Sequence, residues 1–194
     1  MIREDLRRFA NLRQLYTNRL KLRALFRGDV QDVYEYASDP RVSEYLLWSP
    51  HESVAQSRVY LMLLEKKYKR CEFYDWGIEY NGKIIGTCGF TSFSIENNSA
   101  EIGYVLSSKY WGQGIAAEAL KRVMEFGFSE LGLNRIEGKY MAANERSLSV
   151  MKKCHMTLEG IHRQAMLVKG AYRDIGVAAI TRDEYCALIR LGTF

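Results

Sequence analysis

The run Tyr110-Trp111-Gly112-Gln113-Gly114-Ile115-Ala116 has the spacing in this chain that points most directly to chemistry. It follows a segment of strand character and opens a segment of helical periodicity. Backbone N–H groups at such a turn converge and bind phosphate, and glycine permits the tight turn and the close approach of a ligand. The run therefore predicts a diphosphate site, although the same glycines also suit a turn that binds nothing.

Two common nucleotide-binding motifs fit these residues poorly. Read as GxGxxA, Gly112, Gly114 and Ala117 match a dinucleotide-binding turn, but that fold needs successive parallel strand-helix-strand units. An antiparallel meander precedes the turn here. The chain also lacks the GxxxxGK[ST] spacing of a P-loop.

Length and composition set the frame for this site. A chain of 194 residues and 22.5 kDa favours a single domain over residues 1–194, and 47% hydrophobic with 26% charged residues is typical of a soluble globular protein. Lys plus Arg (28) minus Asp plus Glu (23) gives a net charge of +5, which weakly favours an anionic partner such as a nucleotide or phosphate. Arginines are frequent near the N-terminus, but this pattern more often marks a solvated helix face than a nucleic-acid interface.

The compartment follows from what the sequence does not contain. The four cysteines lack CxxC spacing, so neither a zinc site nor a disulfide framework is indicated, and no metal is expected. The first twenty residues are charged throughout, and no apolar run is long enough to cross a membrane. We therefore expect a cytoplasmic protein with reduced thiols and no membrane partner.

The elements that must position the glycine turn can be read from periodicity. Apolar residues at helical spacing predict an additional N-terminal amphipathic helix over residues 1–16, and alternation predicts a strand at residues 19–25. Asp29 and Ser53 are candidate caps of two helices that end near Ser38 and Lys69. The dipeptide Asp39-Pro40 interrupts the helical pattern between them.

An antiparallel meander is predicted over residues 73–106, with Asn81-Gly82 as a two-residue hairpin turn. After the glycine turn come a helix with one apolar stripe and a strand at residues 134–142, a unit that should close as a right-handed parallel crossover. Asn144 is the candidate cap of a short helix that reaches about Cys154. Two strands joined at Lys169-Gly170 and a final helix from Asp183 complete the chain.

Three motifs in order resemble the GNAT superfamily of acetyl-coenzyme A dependent N-acetyltransferases. They are residues 100–106 (AEIGYVL), residues 110–120 (YWGQGIAAEAL) and residues 144–147 (NERS), within a resemblance that spans about residues 19–182. The similarity is greatest to the branch that includes the ribosomal-protein N-terminal alanine acetyltransferases. It implies an α+β (mixed α/β) fold with a central, mostly antiparallel twisted sheet, one parallel crossover, a V-shaped splay between strands, and helices on both faces.

The resemblance also assigns the coenzyme site. The backbone from Gly112 to Ala116 is expected to hold the pyrophosphate of acetyl-coenzyme A, and the strand that ends at Leu106 is expected to pair with the pantetheine arm. Trp111 stands where the superfamily usually has Gln or Arg. An aromatic residue is common at this position in the branch that the chain resembles. The expected coenzyme-binding residues are Tyr104, Val105, Leu106, Trp111, Gly112, Gln113, Gly114, Ile115, Ala116, Asn144 and Ser147.

The catalytic residues implied by the resemblance are Glu101, Val105 and Ser147. An aliphatic amine is protonated near pH 7, so transfer requires a proton acceptor, and Glu101 matches the position of a general base that acts through water in several GNAT enzymes. The backbone N–H of Val105 matches the oxyanion donor, and Ser147 matches a proposed acid. Met151 replaces the tyrosine acid of other members, and Met166 replaces an acidic residue of the ribosomal-protein enzymes.

The acceptor is expected to be a primary amine, most readily the N-terminal α-amine of a protein such as a ribosomal protein. The acceptor cleft is expected to have an aromatic rim, formed by the loop that holds Tyr45, Trp48, Pro50 and His51. Glu44 or Glu52 could pair with the ammonium group of the acceptor. Polyamine or aminoglycoside acetylation is the second reading. A non-catalytic acetyl-coenzyme A sensor is the third, and the N-terminal helix leaves a homodimer open.

Overall fold

The computed structural model describes residues 13–70 and 74–194. Most of the predicted N-terminal helix therefore lies outside the described residues. The helix prediction over residues 1–16 is wrong for its last two residues, because Leu15 and Tyr16 form a strand that pairs with Leu22 and Lys21. Leu15 is buried and Tyr16 is exposed, as expected for a strand with one covered face.

The described residues form one eight-stranded sheet in the order β1-β2-β3-β4-β5-β6-β8-β7. The strands are β1 Leu15–Tyr16, β2 Lys21–Arg23, β3 Tyr74–Tyr80, β4 Lys83–Ser94, β5 Ser99–Leu106, β6 Arg135–Met141, β7 Thr157–Val168 and β8 Ala171–Thr181. The predicted meander is confirmed as β3, β4 and β5. Asn81 and Gly82 both have positive φ, which a two-residue hairpin turn between β3 and β4 requires.

The helices begin close to the predicted caps. They are α1 Val30–Ala37, α2 Pro40–Ser43, α3 Val54–Lys69, α4 Ile115–Ser129, α5 Glu145–Lys153 and α6 Arg182–Leu191. The side chain of Asn144 accepts a hydrogen bond from the Ser147 N–H at the start of α5. Asp29 precedes α1 but does not cap it, because its carboxylate is bound by the Arg23 guanidinium and the Phe26 N–H.

The sheet opens between β5 and β6. These strands pair in parallel from Ser99 opposite Arg135 to Ile102 opposite Gly138, where their pairing ends. Strand β5 continues to pair with β4 as far as Leu106. The predicted parallel crossover and the V-shaped splay are both confirmed. The gap faces the N-terminus of α4.

Helices cover both faces of the sheet, as expected. On one face α4 packs against strands β4, β5 and β6, and a Cβ on Gly127 would come within 2.8 Å of the Phe90 ring. On the other face α1 and α3 enclose a second cluster that includes Leu61 and Ile84, with Val105 packed against it. Successive residues of β5 therefore face different layers. In the part of the chain that the structure describes, no helix is long and apolar enough to span a bilayer.

Candidate active site

A cavity of about 930 Å³ lies where β5 and β6 separate. One end is formed by the turn from Trp111 to Ala116, here called the glycine end. The opposite part, here called the aromatic end, is lined by Tyr36, Tyr45, Trp48, His51 and Tyr60. Large concave sites with mostly apolar walls and a few convergent polar groups are typical of small-molecule binding.

The glycine end has the geometry of a phosphate-binding turn. Gly112 and Gly114 have φ values of 78° and 75°, in the left-handed region that side chains rarely adopt. Gly114 is the residue before α4, and the N–H groups in the first turn of a helix have no intrahelical acceptor. A Cβ on Gly112 would meet no atom within 4 Å, so the backbone borders open space.

Hydrogen bonds made by Arg19 and by side chains of the turn itself hold this turn in place. The Arg19 guanidinium donates from Nη1 to the Gln113 carbonyl at 3.1 Å and from Nε to Glu118 at 2.6 Å. The Trp111 indole donates to the Leu106 carbonyl at 2.8 Å, which ties the turn to the end of β5. Gln113 is the one predicted coenzyme residue that does not line the cavity, because its side chain donates back to the Lys109 carbonyl.

The end of β5 supplies the middle of the cavity wall. Tyr104, Val105 and Leu106 all line it, beyond the last paired position of β5 with β6. Backbone groups on such a separated strand edge are available to pair with an extended, amide-bearing ligand. All three residues thus lie on the cavity wall, and their contact with the coenzyme stays a prediction.

Ser147 lies against a tyrosine whose hydroxyl the sequence reasoning missed. The Tyr104 hydroxyl donates to the Ser147 carbonyl at 2.8 Å and lies 2.9 Å from Ser147 Oγ. Burial raises the pKa of Tyr104 well above its usual range, so the hydroxyl stays protonated at neutral pH. Met151, at the position where the resemblance implies a tyrosine acid in other enzymes, is fully buried. The hydroxyl groups of Ser147 in α5 and Tyr104 in β5 thus form a pair at the cavity wall.

Glu101 lines the cavity but does not stand alone. Its carboxylate accepts a hydrogen bond from Lys139 Nζ at 2.6 Å, and Lys139 also lines the cavity. The hydrogen bond to Glu101 raises the pKa of Lys139, so the ammonium stays charged at neutral pH. Sequence reasoning identified the carboxylate but not its cationic partner.

Asp75 is a second cavity carboxylate that sequence reasoning missed. It stands in β3 and lines the cavity together with Thr87 and Tyr60. Burial raises the pKa of Asp75 to about 7, against the opposing effects of the Lys67 charge and of hydrogen bonds from Thr87 and Tyr60. The available signal was an acidic residue inside a strand of aromatic and apolar neighbours.

The raised pKa of Asp75 predicts a pH-dependent stability. The folded carboxyl holds its proton up to about pH 7, whereas an unfolded Asp has a pKa near 3.9, so stability falls as the pH rises through this window. Asp75→Asn removes that loss. The free energy of unfolding of the variant minus that of the wild type should therefore be about 2 kcal/mol larger at pH 8 than at pH 5. Urea unfolding at both pH values measures this difference; an equal effect at both would contradict it.

The aromatic end combines tilted aromatic rings with a half-buried imidazole. His51 Nδ1 lies 2.8 Å from Ser57 Oγ, and its ring centroid is 5.5 Å from that of Trp48. Burial lowers the pKa of His51, which favours the neutral ring at pH 7. Glu44 and Glu52, the acids expected to meet an ammonium, are exposed and do not line the cavity. Glu101 and Asp75 line it instead.

The remaining predicted coenzyme residues also border the cavity. Of the remaining expected coenzyme residues, Ile115, Ala116 and Asn144 line the cavity. The Arg146 guanidinium lies 4.3 Å from the centroid of the Trp111 ring, between α5 and the glycine end. Within residues 13–70 and 74–194, no group of three His, Cys, Asp or Glu side chains is arranged to hold a metal ion.

Comparison with known proteins identifies the fold and the chemistry around this cavity. Residues 19–157 match the family described as acetyltransferase (GNAT) domain. The uncharacterized N-acetyltransferase p20 of Bacillus licheniformis is 34% identical over 176 residues, covering 88% of this chain and 97% of that protein. The spermidine N(1)-acetyltransferase of Escherichia coli K12 is 25% identical over 169 residues, covering 87% of this chain and 89% of that protein.

Among solved structures, a ribosomal L7/L12 alpha-N-protein acetyltransferase in complex with coenzyme A has the same fold. It superposes with a TM-score of 0.79 at 24% identity, covering 87% of this chain and 98% of that one.

Proposed function

The chain belongs to the GNAT acetyltransferase family and is an acetyl-coenzyme A dependent N-acetyltransferase; we propose that its acceptor is the N-terminal α-amine of a protein or peptide, such as a ribosomal protein. One observation carries the proposal. A single cavity connects a phosphate-binding turn to an aromatic end lined by two carboxylates. The structural neighbour that acts on the α-amine of ribosomal protein L7/L12 supports the choice of acceptor.

The residues at the glycine end fit the coenzyme. Open space beside Gly112 and the N–H groups from Gly112 to Ala116 suit the pyrophosphate, and the separated edge of β5 at Tyr104 to Leu106 suits the pantetheine amides. The coenzyme supplies an activated acetyl thioester at this position when bound. The backbone N–H of Val105 is the proposed donor to the carbonyl oxygen on which negative charge develops.

Glu101 is the proposed proton acceptor. The acceptor amine arrives as an ammonium, because aliphatic amines have pKa values near 10, and it must lose a proton before attack. Glu101 and Val105 have the same side-chain parity on β5, which places the carboxylate on the face of the sheet that carries the aromatic end. Lys139 holds the Glu101 carboxylate in place through Oε2. A water molecule passes the proton from the acceptor ammonium to the other carboxylate oxygen.

Ser147 and Tyr104 are the proposed proton donors to the departing thiolate. Ser147→Ala should lower kcat about 10-fold with a smaller change in the Kd of acetyl-coenzyme A, because a hydroxyl used at the leaving group acts mainly in the transition state. Tyr104→Phe should act in the same direction, since it removes the hydrogen bond to Ser147 Oγ. Stopped-flow turnover and calorimetric binding separate the two parameters.

Ser129→Ala is a matched control for this prediction, because Ser129 lies at the far end of α4 and does not line the cavity. It should leave both parameters unchanged. Equal losses of kcat and coenzyme affinity in Ser147→Ala would assign Ser147 to binding only.

A second acceptor class, the polyamines, is favoured by Asp75. A carboxylate within an aromatic-lined cavity suits a small polycation, and the relative that acetylates spermidine is 25% identical to this chain. The presence of Asp75 does not exclude a peptide, because a peptide N-terminus can also carry a basic side chain.

The acceptor is tested by measuring thiol release from acetyl-coenzyme A with four acceptors. These are a peptide with a free N-terminus, the same peptide with a formylated N-terminus, spermidine and kanamycin. The proposal expects the highest kcat/KM with the free N-terminus and no turnover with the formylated peptide. A preference for spermidine would assign the second class, and turnover of the formylated peptide through a lysine would overturn the α-amine assignment.

A further inference from the structure

We propose that Asp75, Tyr60 and Thr87 form a subsite for a second positive charge on the acceptor, an ammonium or guanidinium joined to the reacting amine by a short methylene chain. This inference rests on the proposed function, because it assumes that the reacting amine lies beside Val105. It adds a specific binding position to the cavity, apart from the pair formed by Glu101 and Lys139.

Strand register places Asp75 one short chain from the reacting position. Thr87 is directly opposite Val105, and the Cβ atoms of such cross-strand pairs are about 5 Å apart. Because the Thr87 hydroxyl is near enough to the Asp75 carboxylate to lower its pKa, this carboxylate lies roughly 5 to 8 Å from the Val105 backbone. An amine beside Val105 is therefore too far for a direct ion pair with Asp75, but a chain of about three to five methylene groups spans the gap.

Small residues and Thr91 form the sheet surface beside Asp75. Asp75 is opposite Gly89 and Gly89 is opposite Gly103. A Cβ on Gly103 would come within 2.8 Å of the Thr91 methyl group, so Thr91 covers this glycine and is itself part of the cavity wall.

The walls around Asp75 suit a cation. Tyr60 and Tyr36 line the cavity with Asp75, and the His51 ring is 6.5 Å from the Tyr60 ring. Aromatic faces attract ammonium and guanidinium groups, and a carboxylate behind them neutralises the charge. The nearby Thr87 and Tyr60 hydroxyls favour the ionised carboxylate, because both lower the pKa of Asp75.

The charge on this subsite depends on pH in the range where the enzyme is assayed. Burial raises the pKa of Asp75 to about 7. The titratable groups that face it are Tyr60, Lys67 and Tyr68 from α3, Tyr36 from α1 and Cys88 from β4. Burial, with a smaller contribution from the Asp75 charge, raises the pKa of Tyr60, Tyr68, Tyr36 and Cys88, so these groups stay neutral. The Lys67 charge favours the ionised form of Asp75.

The second charge has two possible sources, a free diamine or a basic side chain at the first residue of a peptide. The experiment compares 1,4-diaminobutane with n-pentylamine, and peptides that begin with ornithine with peptides that begin with norvaline. Each pair has nearly the same length and differs in the second charge. The pair whose dicationic member has a raised KM in Asp75→Asn identifies the source of the second charge.

Asp75→Asn should raise KM for the dicationic member of the active pair by about 30-fold or more, because loss of one partner of a desolvated charge pair is costly. The KM for the monocation and kcat at saturation should change less than about threefold. Tyr60→Phe keeps the ring, removes the donor, and should raise the dication KM in the same direction. Asp183→Asn, an exposed acid at the start of α6 outside the cavity, is the matched control.

The pH profile gives a readout that a purely structural role would not move. In the wild type, KM for the dication should fall as the pH rises through about 7 and the carboxylate ionises. This dependence should disappear in Asp75→Asn and be absent with the monocation. Equal KM changes for both members of a pair, or a uniform loss of kcat with every acceptor, would overturn the subsite.

Calorimetry separates failure of the subsite from failure of the proposed function. Binding of 1,4-diaminobutane to the enzyme saturated with coenzyme A needs no turnover. Wild-type binding that Asp75→Asn abolishes supports the subsite even if no α-amine is acetylated. Identical affinity in the two proteins overturns it even if the α-amine is the true acceptor.

Discussion

Glu101→Gln lowers kcat about 100-fold or more, with little change in acetyl-coenzyme A affinity. The amide keeps the size of the side chain and its contact with Lys139 but has no basic oxygen of comparable strength, and general base catalysis contributes about 10² to 10⁴ in rate. The remaining rate should rise with pH, because only acceptor that is already deprotonated can react. Steady-state rates between pH 6 and 9.5 measure both effects.

The neighbouring acid Glu137 supplies the control for this prediction. Glu137 is directly opposite Glu101 in the parallel pair and lies 3.4 Å from Lys139, but it does not line the cavity. Glu137→Gln removes a carboxylate from the same ion-pair group and should leave kcat within about twofold. If Glu101→Gln keeps the wild-type pH profile, the proton goes elsewhere and Glu101 only positions Lys139.

Local signals in the sequence were sufficient for the elements and the glycine end. Asn81-Gly82 predicted a hairpin because both residues adopt positive φ readily, and Gly112 and Gly114 predicted a tight turn into α4 for the same reason. Asn144 predicted the start of α5 because its side chain can accept from a free N–H. Each of these inferences concerns residues close together in the chain.

The parts of the site that were missed depend on contacts between distant segments. Lys139 meets Glu101 only because β5 and β6 pair in one register, and Tyr104 meets Ser147 only because α5 crosses the end of β5. Asp75 resembles any polar residue in a strand until α1 and α3 cover it. Neither periodicity nor a motif specifies such pairings, and they decide the charge of the cavity.

The second large effect concerns the glycine end. Gly112→Ala should weaken binding of acetyl-coenzyme A about 30-fold or more, because the new methyl group enters the open space beside the turn where the pyrophosphate is expected. A left-handed φ also costs a non-glycine residue about 1–2 kcal/mol, so the folded state should lose stability by that amount. Calorimetric titration and urea unfolding measure the two consequences separately.

Gly82 separates the methyl group's effect on binding from the backbone strain. Gly82 has a φ of 77°, and a Cβ there would meet no atom within 4 Å, as at Gly112, but it lies in the β3–β4 hairpin and does not line the cavity. Gly82→Ala should therefore cost similar stability and leave coenzyme affinity unchanged. If the two variants bind acetyl-coenzyme A equally well, the turn after Trp111 serves only to start α4, and the pyrophosphate must be held by other residues.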